Sequence, residues 1–257
     1  MLPSMASVAE FLGASRDGEA WRFHVPRELH GAFGGAFGGI VAACCLVAAR
    51  EAAPGRTPNA LDCRFLRGLP AGEARAAAHV LAAGRSLSNV SVDLTDGEGR
   101  PCARATISLV DHGVLVPVER PGPGPGDWKA HEEADPWPPV APIVATIDSR
   151  LVGRDERGMA TAMRIPWDIT PHSSAESACM AADMAVGPPL GTLAGEGAAT
   201  PNPDLSLRFC GEVSSGVVVG VGRLDRAAGG IAAVSVEVWS SGALVATGVS
   251  TALMIPR

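Results

Sequence analysis

The chain has 257 residues, of which 47% are hydrophobic, and its formal net charge is −6. This length accommodates one large domain or two small ones, and the acidic balance lacks the basic footprint of a nucleic-acid-binding protein. No stretch approaches the roughly 18 consecutive apolar residues of a membrane-spanning helix. The first residues lack the basic and apolar regions of a signal peptide. The six cysteines show no C-x-x-C spacing, so we expect a reduced, cytoplasmic protein.

The first predicted helix is the apolar stretch GGIVAACCLVAAREAA at residues 38–53, which Pro54-Gly55 ends. The segment VSVDL at residues 90–94 then alternates apolar and polar side chains, which is typical of an antiparallel strand with one covered face. TDGEGR at residues 95–100 predicts a hairpin turn after this strand. The first half is therefore predicted to be one helix followed by an antiparallel sheet.

The segment VERPGPGPGDWKAHEEADPWPPVAP at residues 118–142 separates the two halves of the chain. Its proline and glycine content is too high for a regular element, so it predicts an extended linker that runs over the surface. We place the linker at residues 116–144, between an N-terminal module at residues 1–115 and a C-terminal module at residues 145–257.

The second half repeats this pattern, beginning with a predicted helix, AESACMAADMAV, at residues 175–186. Ser173 and Glu176 have the spacing of a capping box at its start. SSGA at residues 240–243 predicts a hairpin turn between strands. Asp183 is a lone carboxylate on this apolar helix, where burial of an unpartnered charge is costly. It therefore needs either a proton or hydrogen-bond partners.

An internal repeat relates the two halves. Leu61 and Phe65 lie 144 residues before Leu205 and Phe209, and VSVDL lies 144 residues before VSVEV at residues 234–238. Each half contains one helix that is apolar on all sides, which a sheet wrapped around it would bury economically. The sequence therefore predicts an α+β protein of two helix-plus-sheet modules, whose sheets join into one longer antiparallel sheet.

Six motifs follow one another along the chain: FGGIVAACCLVAAREAAP (37–54), FLRG (65–68), GRSLSNVSV (84–92), MAADMA (180–185), PDLSLRF (203–209) and LVATGVSTALM (244–254). Their order and spacing resemble those of the double hot-dog acyl-CoA thioesterases. The resemblance implies two fused hot-dog modules, each a long central helix wrapped by an antiparallel sheet. It also implies hydrolysis of acyl thioesters, delivered by coenzyme A or an acyl carrier protein, without metal or organic cofactor. A homo-oligomer is left open.

The resemblance also implies which residues hold the attacking water. In the family, an Asp on the second-half helix does so with a Thr and a Gln; these positions fall on Asp183, near Asn202 and on Ser250. The carboxylate matches and both helpers differ, although Asn and Ser can also hydrogen-bond a water. A carboxylate within reach of that water can take its proton as general base, and partial burial would raise its pKa toward a useful value.

The start of the first helix is predicted to contact the substrate, through Phe37, Gly38 and Gly39. The glycines leave the backbone N–H groups of the helix start open to a developing oxyanion. Two structural interpretations stay open at this point. The glycines could merely allow close packing of helix and sheet, and Asp183 could be a structural carboxylate bonded to nearby N–H groups.

Alternative functions are a hot-dog enzyme that adds to enoyl thioesters, or a non-catalytic acyl-binding protein. At the offset of 144, Asp183 corresponds to Gly39 and Asn202 to Pro58, so only the second half carries the water-holding side chains. We therefore expect one thioester site per chain, at the junction of the halves.

Overall fold

An antiparallel sheet dominates the computed structural model, which describes residues 7–118, 120, 122–154, 158–194 and 197–256. The strands are β1 (Ser15–Asp17), β2 (Ala20–Val25), β3 (Thr57–Phe65), β4 (Gly72–Ala83), β5 (Leu87–Asp96), β6 (Pro101–Val110), β7 (Asp135–Pro136), β8 (Arg150–Arg154), β9 (Gly158–Arg164), β10 (Ala198–Ala199), β11 (Asp204–Phe209), β12 (Val217–Ala228), β13 (Ile231–Ser240), β14 (Ala243–Leu253) and β15 (Ile255–Pro256). The α-helices are α1 (Val8–Phe11), α2 (Gly38–Ala52), α3 (Pro142–Thr146), α4 (Ser174–Val186) and α5 (Gly191–Ala194). In this described part of the chain, none of the helices is long and apolar enough to cross a bilayer.

Thirteen of the described strands form one continuous sheet, in the order β1-β2-β4-β5-β6-β3-β11-β14-β13-β12-β9-β8-β7. The halves meet where β3 pairs antiparallel with β11, and Leu61 lies opposite Leu207 at this joint. The strand order outward from the joint is mirrored, because β6, β5 and β4 follow β3 as β14, β13 and β12 follow β11. The predicted joining of two sheets into one antiparallel sheet is confirmed.

The elements predicted from apolar patterning are present with nearly the predicted bounds. Helix α2 begins at Gly38, and α4 ends at Val186. Residues 90–94 lie within β5, which turns into β6 between Asp96 and Pro101. The hairpin turn at residues 240–243 likewise joins β13 to β14. Local patterning therefore predicts these elements correctly.

Helices α2 and α4 form the buried layer beneath the sheet. All 13 residues of α4 are buried, and α2 is buried except at its first residue and along its C-terminal part. Helix α2 packs on β4 and β5, α4 packs on β12 and β13, and the two helices pack on each other. This burial follows from the lack of a continuous polar stripe on either helix.

The predicted capping box at the start of α4 is wrong. Ser173 is the N-cap residue, but its side chain accepts no hydrogen bond from the helix and instead donates to the carbonyl of Asp168 at 2.7 Å. Glu176 pairs with Arg50 of α2 instead of turning back to the cap. A buried bidentate ion pair between two helices satisfies the carboxylate better than one backbone N–H does.

The constant offset of 144 residues holds for the strands but not for the helices. Helices α2 and α4 begin at Gly38 and Ser174, 136 residues apart, so Asp183 does not occupy the position in α4 that Gly39 has in α2. The difference arises because α2 is followed closely by β3, whereas residues 187–203 lie between α4 and β11. This longer connection places Asn202 beside the end of α4.

The Pro/Gly-rich segment rests on the second half of the sheet. Residues 122–130 contain no helix or strand, and residues 119 and 121 of the predicted linker lie outside the described residues. Trp128 packs edge-on against Trp239 of β13, with ring centroids 5.6 Å apart. The segment is therefore attached by side-chain packing along its path.

Gly222 of β12 determines how closely α4 approaches the sheet. A Cβ at this position would collide with the backbone carbonyl of Ala185 in α4. We expect Gly222→Ala to lower the free energy of unfolding by roughly 1–3 kcal/mol, the usual cost of overpacking. Urea denaturation measures this loss. Gly216→Ala is the matched control because a Cβ there meets open space, and equal stability of the two variants would contradict this account.

Candidate functional site

Asp183 of α4 lies against the first turn of α2. Its Oδ2 accepts a hydrogen bond from the backbone N–H of Gly39 at 3.0 Å. Its Oδ1 accepts one from the side-chain amide of Asn202 at 2.8 Å. The residue is only 7% exposed, so these donors, together with the positive end of the helix dipole, offset the cost of burying a carboxylate.

Burial raises the pKa of the Asp183 carboxyl to about 6, while hydrogen bonds from Asn202, Gly39 and Gly38 oppose the increase. Desolvation disfavours the charged form, whereas donors to the carboxylate favour it. The outcome is a carboxyl group that exchanges its proton close to neutral pH. This is the property that a general base needs.

A cavity of about 850 Å³ opens beside Asp183 and receives residues from both halves of the chain. Its lining includes Phe37, Val41 and Phe65 from the first half, and Met184 and Asn202 from the second. The walls are mainly apolar, and polar groups are concentrated near the carboxylate. An apolar cavity with a few convergent polar groups is typical of a small-molecule site.

The structure brings some of the predicted site residues together and separates others. Asp183, Asn202, Phe37 and Gly38 line the cavity. Ser250 of β14 is not among the lining residues: its hydroxyl donates to the carbonyl of Asp204 at 2.6 Å. Ser250 therefore hydrogen-bonds the backbone two residues after Asn202, and Asn202 is the residue that contacts Asp183.

Gly38 and Gly39 contact the carboxylate directly. A Cβ at Gly38 would lie 2.6 Å from the Oδ1 atom of Asp183, so a side chain there would displace the carboxylate. The N–H of Gly39 donates to Asp183, so it is not free to donate to a substrate oxyanion while this bond persists. The structural interpretation of Asp183 is thus partly correct, because the carboxylate accepts a hydrogen bond from the first turn of α2.

A second contact fixes the other end of the helix pair. Arg50 of α2 donates to both oxygens of Glu176 in α4, from Nε at 3.1 Å and from Nη2 at 2.6 Å. The side chain of Glu176 is fully buried. The two helices run antiparallel, so this pair and the contact between Asp183 and Gly39 hold opposite ends of their interface.

Sequence reasoning missed two parts of the cavity. The loop at residues 65–69 contributes Leu66 and Arg67, and the end of the predicted linker contributes Trp137 and Ile143. The available signal was the cluster of large apolar residues in WPPVAPIV, which contrasts with the small and polar residues before it. The high proline content of the segment instead led to its prediction as a linker.

Comparisons with known proteins bear on the family and the fold of the chain. Residues 26–110 match the family model for the acyl-CoA thioesterase N-terminal domain. The resemblance to the acyl-CoA thioesterases is confirmed. This match supports a thioester hydrolase. A comparison with curated proteins gives no match.

Several solved structures share the fold over nearly the whole chain. The tesB protein of Mycobacterium avium subspecies paratuberculosis is 19% identical, with a TM-score of 0.79 over 97% of this chain and 98% of its own. The acyl-CoA thioesterase II TesB2 of Mycobacterium marinum is 16% identical, with a TM-score of 0.79 over 98% and 99%. A hot-dog protein of Alicyclobacillus acidocaldarius is 22% identical, with a TM-score of 0.72 over 97% and 98%. The chain therefore shares the hot-dog fold of these proteins.

The raised pKa of Asp183 predicts a pH-dependent stability. An unfolded aspartate has a pKa of about 3.9, so between roughly pH 4 and 6 the folded state binds more protons than the unfolded state. The contribution of Asp183 to stability is thus fully present below pH 4 and is lost as the pH rises through about 6. The free energy of unfolding of the wild type, relative to Asp183→Asn, should fall by about 2–3 kcal/mol between pH 4 and 7.

Urea denaturation at several pH values measures this difference, and other carboxylates cancel in the comparison. Asp127→Asn is the control because Asp127 is exposed, and its stability relative to wild type should change little over the same range. A difference between wild type and Asp183→Asn that does not vary with pH would contradict the raised pKa.

Proposed function

We propose that this chain hydrolyses acyl-CoA or related acyl thioesters, with a water molecule activated by Asp183. The observation that carries the proposal is a buried carboxylate with a pKa of about 6 at the wall of a largely apolar cavity. A carboxylate that served only as a helix cap would not need an 850 Å³ cavity beside it. Capping here holds the base in place, so the structural and catalytic roles are compatible.

Asn202 is suited to hold the water. Its amide nitrogen donates to Oδ1 of Asp183, which orients the amide so that its oxygen is the remaining polar atom. Among the described residues, no hydrogen bond is directed to that oxygen. An attacking water can therefore donate one proton to Asp183 and the other to the Asn202 carbonyl oxygen.

The chemistry then requires few further groups. The water oxygen forms a bond to the thioester carbonyl carbon as its proton passes to Asp183, and the carbonyl becomes an oxyanion. Collapse of this tetrahedral intermediate breaks the carbon–sulfur bond, and the thiolate accepts the proton that Asp183 carries. The products are a carboxylic acid and a free thiol, and no strong general acid is needed because a thiolate is a good leaving group.

We propose that two hot-dog modules divide this work, at residues 1–115 and 145–257, joined by residues 116–144. The arrangement of α2 under β4 and β5, and of α4 under β12 and β13, supports two modules with one central helix each. The second module supplies Asp183 and Asn202, with Ser250 as a support for the Asp204 carbonyl. The first supplies the helix start that holds the carboxylate.

Replacement of Asp183 tests the mechanism. We expect Asp183→Asn to keep the fold and to lose roughly 10²-fold or more in kcat, because an amide cannot accept the proton of water. In the wild type, kcat/KM should increase with pH through an apparent pKa near 6, since only the ionised carboxylate is a base. Thiol release from a panel of saturated acyl-CoA substrates measures both quantities, and a parallel panel of enoyl-CoA substrates is tested for hydration.

Asp127→Asn is the matched control and should retain wild-type kinetics. Asn202→Ala should lose less than Asp183→Asn, and Ser250→Ala less again, because each removes only a positioning hydrogen bond. Full activity of Asp183→Asn would remove the aspartate from the mechanism. Addition of water to enoyl-CoA without thiol release would instead support the alternative hot-dog chemistry, and binding without reaction would support an acyl-binding protein.

The lining of the cavity by both halves predicts one site per chain. Phe37 and Phe65 face the same cavity as Met184 and Asn202, so neither module encloses the ligand alone. Calorimetric titration with a non-hydrolysable acyl-CoA thioether should saturate near one equivalent per chain. Saturation near two equivalents would show that each module carries its own site.

A further inference from the structure

Arg67 is the one cationic residue among the described residues that line the cavity. Among the described residues of that lining, Asp183 and Arg67 are the only ones with charged side chains. Asp183 is buried, whereas Arg67 is exposed on the loop that follows β3. The cavity is therefore polarised, with an acidic group inside and a cation at its rim.

The backbone that carries Arg67 is firmly held. The N–H groups of Leu66 and Arg67 both donate to the carbonyl of Cys102, at 2.8 and 3.1 Å. The N–H of Phe65 donates to the carbonyl of Pro203 at 2.8 Å, which ties the same loop to the second half beside Asn202. The position of the Arg67 Cα is thus fixed relative to both halves of the site.

The guanidinium of Arg67, by contrast, has no partner in the described part of the chain: no ion pair or hydrogen bond to its side chain is present. Arg64, three residues earlier, pairs with Asp204. Other exposed arginines have a carboxylate partner, as Arg104 has in Asp93. Arg67 therefore keeps its five N–H donors for a ligand.

We propose that Arg67 binds a phosphate of the thiol carrier and so selects phosphorylated thioesters; this rests on the proposed function. A chain with a net charge of −6 repels a polyphosphorylated ligand, so a local cation is needed to draw the ligand to the cavity. A guanidinium matches phosphate geometry with two parallel hydrogen bonds. The apolar walls accept the acyl chain, and the carboxylate inside the cavity disfavours the reverse orientation.

Two carriers share this chemistry. Coenzyme A has a pyrophosphate and a ribose phosphate beyond the pantetheine arm, and a carrier protein presents one phosphodiester at the same place. Both place a phosphate at the far end of a neutral arm from the thioester. The ligand class is therefore a thioester on a phosphorylated pantetheine.

The decisive experiment compares Arg67→Gln with wild type by calorimetry on non-hydrolysable thioethers. The probes are S-hexyl-CoA, S-hexyl-4′-phosphopantetheine and S-hexyl-pantetheine. The last two differ by one phosphate alone, and S-hexyl-CoA adds the second phosphate of the pyrophosphate and the 3′-phosphoadenosine. We expect Arg67→Gln to weaken the binding of both phosphorylated probes by roughly ten- to a hundredfold, the scale of one charged hydrogen bond. The affinity for S-hexyl-pantetheine should be unchanged.

Arg85→Gln is the matched control, since Arg85 is an exposed arginine in the turn between β4 and β5, and it should bind all three probes as wild type does. Arg67→Lys should recover part of the lost affinity, because it restores the positive charge but not the two parallel hydrogen bonds of a guanidinium. In the wild type, added salt should reduce the ratio of the affinity for S-hexyl-CoA to the affinity for S-hexyl-pantetheine. The same salt should reduce this ratio less in Arg67→Gln.

The outcomes separate this proposal from the proposed function. Equal affinity of wild type and Arg67→Gln for S-hexyl-CoA, or an equal loss with S-hexyl-pantetheine, would overturn the role of Arg67 while thiol release stands. Absence of thiol release, with the phosphate-dependent loss intact, would overturn hydrolysis and leave the phosphate site. Kinetics with acyl-CoA and with an acylated carrier protein show which carrier depends more on Arg67.

Discussion

The contact between Asp183 and the first turn of α2 is the interaction on which the rest of the structure depends. It joins the two buried helices, which come from different halves of the chain, through a carboxylate and a backbone N–H. In this low-dielectric interior a lone carboxylate is costly, so the helix start and the Asn202 amide must remain in place. The same arrangement leaves the carboxyl group with a pKa near 6.

The pair of Arg50 and Glu176 supplies the second fixed point along the same interface. A buried ion pair adds little net stability, because the desolvation of both groups offsets their attraction. Its geometric effect is larger, since a bidentate contact permits only one register of α2 against α4. That register places Asp183 level with Gly38 and Gly39. The helix pair therefore determines where the Asp183 carboxylate lies with respect to the cavity.

The cavity itself is a product of asymmetry between two similar halves. The strands are mirrored about the joint of β3 and β11, but the connections after the helices differ in length. The longer connection at residues 187–203 brings Asn202 to the carboxylate, and the chain between the halves brings Trp137 into the lining of the same cavity. The two halves thus contribute to one cavity, because the unequal connections supply different parts of its lining.

The sequence by itself determined α2 and α4, the strands of residues 90–94 and 234–238 and the hairpin turns. These features follow from apolar periodicity and turn residues, which act locally. The joining of two sheets was predicted from the internal repeat. Asp183 was also identifiable, because a single carboxylate on a wholly apolar helix requires partners. The repeat predicted two similar halves, although its constant offset did not extend to the helices.

Tertiary structure alone decided what Asp183, Glu176, Ser250 and Arg67 contact. Glu176 had the spacing of a capping box, yet a partner 126 residues away in the sequence binds it instead. Ser250 supports the Asp204 carbonyl, and Arg67 faces the cavity because its loop is tied to Cys102 and to the second half. Such contacts join residues that are distant in the chain, so no local pattern records them. They exist only once the two halves have packed together.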